Sequence, residues 1–223
     1  MTVPFFAPST TRTAGQRPFR SRFEPCLSLP EGNVDFPITR VDPLFEDLPP
    51  TSSGFGTPTA WVVFALRKLA QSARQYDIST RPIHLPLPLA CLNDEGLPET
   101  LRKAANAEDC CPQEFILEFQ DATFAASDEE GLTRMENFRR KGFRIGLDSR
   151  FSSQTPFGAR MRSAVERLRI TENDLLTDEV VQHRAEIVSA LGGAVIIERA
   201  HWKHVDLLKS YGATHTLKLI ADA

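Results

Sequence analysis

An α/β fold whose parallel strands close into a barrel is what this sequence predicts, on three observations. Short apolar runs alternate with amphipathic stretches of helix length, the connections between them are short, and the run interiors are almost wholly apolar, as in strands covered on both faces. With 223 residues, a single domain accommodates them all. The expected division is an N-terminal tail over residues 1–21 and a barrel domain over 22–223.

The tail carries Arg12, Arg17 and Arg20, several Ser and Thr, and no acid before Glu24. Pro4, Pro8 and Pro18 break any helix an organelle transit peptide would need, so a disordered tail is expected, with Phe5, Phe6 and Phe19 available to dock on a partner. Residues 22–29 and 34–41 alternate apolar and polar around Pro30-Glu-Gly-Asn33, a hairpin pattern. Residues 47–54 are rich in turn formers. Thr57 and Pro58 then supply an N-cap and a first-turn proline for a helix that buries Trp61, Phe64, Ala65, Leu69 and Ala73.

Beyond it the expected elements are a strand at 83–87, a helix at 96–107, a strand at 114–119, and a helix opened by Ser127 and its following acids. Gly142 ends that helix. A strand follows to Asp148, then an irregular stretch, then a strand at 164–170. Thr177 is expected to cap a helix with Val180, Val181, Ile187, Val188 and Leu191 on its apolar side, stopped by Gly192. A strand at 194–198, a helix at 202–211 and a last strand at 214–220 complete the chain.

Lys+Arg number 26 against 29 Asp+Glu, a net charge of −3, which argues against a phosphate-backbone binder. Nucleic acid is therefore not an expected partner. The longest strongly apolar run, residues 60–66, is far short of the roughly 20 residues that cross a bilayer, so no membrane is expected either. Cys26, Cys91, Cys110 and Cys111 form neither a CxxC pair nor a disulfide-dense pattern, which fits a reducing cytoplasm and small buried side chains.

Chemistry in parallel α/β folds gathers where strands end, and the run from Gly142 delivers Asp148 to that place. Ser149 and Arg150 follow it, so a second acid is missing where a two-metal site would want one. His201 and His204 lie three apart at a helix start with no third ligand evident, and a surface or packing role is expected for them. Ser152 and Ser153 have no histidine placed to activate them and read as loop residues.

The segments Leu117-Glu-Phe-Gln-Asp121, Gly142-Phe-Arg-Ile-Gly-Leu-Asp148, Leu168-Arg-Ile-Thr171 and Val195-Ile-Ile-Glu198 stand in the order and spacing of EAL domains, the cyclic di-GMP phosphodiesterases, and over about residues 22–220 the chain resembles that family. The resemblance implies a (β/α) TIM-like barrel of EAL type with one antiparallel first strand. It also implies a site for two divalent cations, Mg²⁺ or Mn²⁺, held by strand-end carboxylates and an amide. Three of those positions keep their acid: Glu118, Asp148 and Glu198. Asp121 stands where a second glutamate braces a loop. Elsewhere the pattern is altered. Ile38 falls at the signature glutamate, Pro86 at the asparagine ligand, Ser149 at the second aspartate, Arg169 at the lysine, Thr171 at the next aspartate and Leu217 near a late glutamine. Glu24 and Asp42 occupy the glutamine and arginine slots that contact the dinucleotide, placing like charge beside a dianion.

The resemblance with these losses implies a degenerate, catalytically inactive member. No catalytic residue and no cofactor are expected, with Mg²⁺ or Mn²⁺ present only if the remnant acids bind weakly. The expected remnant arrangement is Glu118, Asp148 and Glu198 hydrogen-bonded to Arg169 or Arg199 in a collapsed mouth. The expected role is regulation or scaffolding through contact with another protein. Two alternatives stand behind it, a cyclic di-GMP receptor that does not hydrolyse and a weak phosphodiesterase. Homodimerisation is possible, although the loop from Ser149 to Pro156 departs from the family's Gly-rich form.

Overall fold

The computed structural model describes residues 19–42, 44, 57–76, 78, 82–121 and 129–221. Its strands are β1 (Arg20–Ser28), β2 (Val34–Asp42), β3 (Ile83–Pro86), β4 (Phe115–Gln120), β5 (Arg144–Asp148), β6 (Val165–Ile170), β7 (Ala194–Ile197), β8 (Ala200–His201), β9 (His215–Thr216) and β10 (Leu219–Ile220). The helices are α1 (Pro58–Gln75), α2 (Leu97–Ala107), α3 (Glu129–Arg140), α4 (Ala159–Ala164), α5 (Glu172–Thr177), α6 (Glu179–Ala190) and α7 (Val205–Ser210). Most of the tail, the turn-rich stretch 47–54 and Ser127 lie outside the described residues.

Eight strands form one sheet in the order β2-β1-β9-β7-β6-β5-β4-β3, a TIM-like barrel that is nearly closed. The β3-β4-β5-β6-β7-β9 ladder is parallel throughout. β1 runs antiparallel to both neighbours, β2 and β9. A short turn cannot make a parallel crossover, so the tight β1–β2 hairpin forces one reversed strand into the barrel. At the remaining gap, between β2 and β3, the Phe36 ring stacks on the His84 ring at 6.3 Å and 13°.

Strand alternation sorts the side chains into two layers. Phe115, Leu117, Phe119, Ile145, Leu147, Leu168, Ile170, Val195 and Ile197 face outward into the main core, where Trp61, Leu66, Leu69, Leu101 and Phe138 from the helices meet them. Full burial of each such side chain is worth about 1.5–3 kcal/mol. The inward face is different from the expected apolar filling. Its floor is a small cluster of Cys26, Phe36, Ile38, Ala194 and Ile196 with Leu217 against it, but His84, Glu118, Asp148 and Arg169 are buried inside as well. Gly146 makes room in that interior, since a Cβ there would stand 2.9 Å from Ile116 Cγ2.

Several expected boundaries move. β1 begins at Arg20, so the tail gives its last two residues to the barrel, and Phe19 packs edge-on to Phe64 at 5.4 Å, seated on the chain's own helix. The irregular stretch after β5 contains α4, and α5 precedes α6. Thr177 ends α5, its hydroxyl donating to Asn173 O at 2.9 Å. Asp178 is the N-cap of α6, its carboxylate accepting from Val180 N at 2.8 Å and Val181 N at 3.4 Å. The residues α6 buries are Val181, Arg184, Ala185 and Val188, while Val180 and Leu191 are exposed.

The last strand is split. The Thr216 hydroxyl bonds both Lys218 N at 3.3 Å and Lys218 O at 3.0 Å, a local competitor to ladder hydrogen bonds. β10 therefore leaves the barrel and pairs in parallel with β8. Cys26, Cys91 and Cys110 are buried free thiols and Cys111 is exposed; burial pushes the Cys26 thiol up to about 12. No helix among the described residues is long and apolar enough to cross a membrane.

Candidate functional site

The C-terminal ends of the parallel strands, with the N-terminal half of β1, surround one polar mouth. Glu118 comes from β4, Asp148 from the end of β5, Arg169 from β6, Glu198 from just beyond β7, Glu24 from β1 and Arg40 from β2. The period of two puts each on the inward face of its strand.

Each of Glu24, Glu118, Asp148 and Glu198 meets a guanidinium among the described residues. Arg169 Nη1 donates to Glu118 Oε1 and Oε2, both at 2.9 Å, and this pair is buried on both sides. Arg150 forks onto Asp148, Nε to Oδ1 at 2.8 Å and Nη2 to Oδ2 at 2.7 Å, and its backbone N–H reaches Oδ1 at 3.2 Å. The third nitrogen of Arg150 donates to Glu198 Oε2, and Arg40 Nη2 donates to Glu198 Oε1. Arg40 Nε also donates to Glu24 Oε2 at 3.0 Å, and Arg22 donates to Glu24 Oε1. Arg169 Nη2 stands 3.8 Å from Glu198. Among the described residues, four cations, Arg22, Arg40, Arg150 and Arg169, thus face four anions, Glu24, Glu118, Asp148 and Glu198.

The guanidiniums shift two of these acids, Asp148 and Glu24. Burial pushes the Asp148 carboxyl up, but hydrogen bonds from Arg150 and the charges of Arg169 and Arg150 outweigh it and hold the group below the usual aspartate range. Glu24 behaves likewise, burial opposed by Arg40 and Arg22 with a net lowering. Beneath the mouth, burial and then the charges of Arg169, Arg167 and Arg144 drive His84 well below the ordinary histidine value. Neither ring nitrogen of His84 has a hydrogen-bond partner among the described residues.

Ser149 turns away from the mouth and donates to Asp121 Oδ2 at 2.8 Å. Asp121 is fully buried and braces the loop after β5, accepting from Thr155 N at 2.8 Å and from Arg184 Nη1 at 2.6 Å. Ile38 and Leu217 belong to the apolar floor. Pro86 ends β3, in register with Glu118, and Asp42 is exposed at the end of β2. Thr171 caps α5, accepting from Asp174 N at 3.1 Å. Arg199 is exposed, so the arginines on the acids are Arg169, Arg150 and Arg40.

Sequence reasoning missed Arg22, Arg40 and Arg150 as members of this group. The signal for Arg40 was its two-residue offset from Ile38 on the same strand face. Glu24 is likewise not the lone negative charge its slot implied, because two arginines neutralise it. The histidine pair has a third partner: Glu172, at the start of α5, lies 2.5 Å from His201 Nδ1 and 2.9 Å from His204 Nδ1.

Comparison with known proteins bears on the fold. The family model described as EAL domain matches residues 59–207, a span that begins after the β1–β2 hairpin. No curated protein matches the chain. Among solved structures, the chain is similar to the PaMucR phosphodiesterase in complex with c-di-GMP, at 15% identity and TM-score 0.71, covering 90% of this chain and 93% of that one. It is similar also to the EAL domain of Mycobacterium smegmatis DcpA, at 13% identity and TM-score 0.67, with 89% of each chain covered. A third likeness is to an EAL domain protein from Listeria monocytogenes, at 10% identity and TM-score 0.65, covering 90% of this chain and 85% of that one.

Proposed function

This chain belongs to the EAL domain family, and from that premise we propose that it is a non-catalytic member, a cytoplasmic regulatory or scaffold protein that acts by binding another protein and does not hydrolyse cyclic di-GMP. The observation that carries this reading is the saturation of the mouth by arginine. A guanidinium does not deprotonate in a protein, so a divalent cation would have to displace a permanent charge from each acid it used. Both oxygens of Asp148 and both of Glu118 are already engaged.

The surrounding positions add to this. Ile38 offers no oxygen, Pro86 no side-chain donor atom, and the Ser149 hydroxyl is committed to Asp121. On this reading the residues do not fit a pair of Mg²⁺ or Mn²⁺ ions, and no hydrolytic step runs through the mouth. Function then moves to the protein surface, and a partner protein is the proposed ligand.

A cyclic di-GMP receptor without hydrolysis is the second reading. What favours it is the same set of guanidiniums, since Arg22 and Arg40 are partly exposed and suited to phosphate oxygens. Titration calorimetry of the full chain with cyclic di-GMP, with and without Mg²⁺ or Mn²⁺, together with chromatography of the products, separates the readings. No heat and no linear dinucleotide are expected. Micromolar binding without turnover establishes the receptor, and turnover overturns both.

A further inference from the structure

Outside the mouth, one cluster pairs a carboxylate with groups able to give up a proton. Glu172 opens α5 directly after β6, whereas His201 ends β8 and His204 closes the single 3₁₀ turn Trp202–His204. Side chains three apart in a 3₁₀ turn eclipse one another, and the His201–His204 spacing follows this, with ring centroids 5.9 Å apart. The position of Glu172 is fixed from the backbone side as well, because His201 N–H donates to its Oε1 at 3.0 Å. One ring nitrogen of each histidine and a carboxylate oxygen of Glu172 all lie within 4.8 Å of one another.

We propose that Glu172, His201 and His204 form a binding site for a divalent transition cation, and that zinc is the ion it takes. Two imidazole nitrogens with one carboxylate suit a borderline ion of the zinc class. Mg²⁺ and Ca²⁺ prefer oxygen ligands in greater number. With the ion bound, each Nδ1 presents its lone pair to the metal and the ring's remaining proton sits on Nε2.

The carboxylate is largely buried, while the His201 and His204 side chains are 40% and 33% exposed. Three ligands held at one side and open to solvent at the other leave the fourth tetrahedral position to water or to a donor from outside. Because Glu172 and the histidines are about 30 residues apart in sequence, the ion also ties the end of β6 to the β8 edge. None of this depends on whether the barrel mouth is catalytic.

The test uses the full chain, stripped with a chelator and titrated with Zn²⁺ by calorimetry, with Mg²⁺ as the comparison. One Zn²⁺ per chain is expected, with a raised melting temperature by linkage and no response to Mg²⁺ at the same concentrations. Co²⁺ in place of Zn²⁺ is expected to show the visible bands of a tetrahedral ion. H201A/H204A and E172Q are expected to weaken binding about a hundredfold or more, the upper end of what loss of a mere supporting contact costs. D148N and C111S are expected to leave it unchanged. Stoichiometric binding that survives in H201A/H204A, or that disappears in D148N or C111S instead, overturns the assignment and places the ion elsewhere. Circular dichroism of each variant shows that the comparison is between folded proteins.

Discussion

The barrel mouth and the Glu172 cluster hold the same functional group in opposite company. In the mouth, Glu118 and Asp148 are met by Arg169 and Arg150 at 2.7–2.9 Å. At the rim, Glu172 is met by two imidazoles at 2.5 and 2.9 Å. A guanidinium is a permanent donor with no lone pair to offer, whereas an imidazole can lose its proton and become a ligand beside the carboxylate. What a carboxylate can do is therefore decided by its counter-group as much as by its own position. A strand-end acid is not a metal ligand when an arginine forks onto it.

Removing the counter-group on each side is the strongest way to test this contrast. Arg169→Met leaves Glu118 buried without its partner and is expected to cost about 3–5 kcal/mol, read from urea denaturation. His204→Ala removes a partly exposed partner of Glu172 and is expected to cost less than about 1 kcal/mol. Equal losses would mean that the two clusters are held in the same way.

A third imidazole sharpens the contrast through pH. His84 is fully buried among Arg169, Arg167 and Arg144, and its folded pKa is depressed by burial first and those charges second. The unfolded state then binds a proton that the folded state refuses. The stability this protects is complete above the unfolded value of about 6.5 and is lost as pH falls toward the folded one, with a slope approaching about 1.4 kcal/mol per pH unit. Denaturation midpoints between about pH 5 and 7.5 should follow that trend, and His84→Phe should flatten most of it. His215, lowered mainly by burial, supplies the remaining slope. A wild-type profile that is flat across this range would refute a neutral His84.

The smallest expected signal comes from Arg150→Ala. Made in an E172Q background so that the histidine cluster does not contribute, this change frees Asp148 and part of Glu198 and should add a single weak Mn²⁺ site, on the order of millimolar, which the same background with Arg150 retained is expected to lack. If the variant also stays silent, the cause of exclusion shifts from the guanidinium to the missing ligand atoms at Ile38 and Pro86.

Much of the fold was legible in the sequence because its signals are local. The two-residue alternation through Arg22–Leu29 and Val34–Val41 marked the hairpin, and Thr57 with Pro58 marked the start of α1, where the Thr57 hydroxyl accepts from Ala60 N at 3.2 Å. The split of the last strand escaped because Thr216 competes with the ladder through its own side chain, a choice that periodicity does not record. Thr177 and Asp178 were confused for a related reason. Both are good caps, and only the helix that precedes them shows which one is free to start the next.

The site divides along the same line. The sequence by itself placed Glu118, Asp148 and Glu198 in or at the ends of strands, since strand position depends on neighbouring residues, whereas strands apolar on both faces did not say which face turns inward. Only the tertiary structure decided what each acid meets. Arg40 reaches Glu198 across 158 positions, Arg169 reaches Glu118 across 51 and His201 reaches Glu172 across 29. Such meetings depend on barrel closure and strand register, which no local pattern carries.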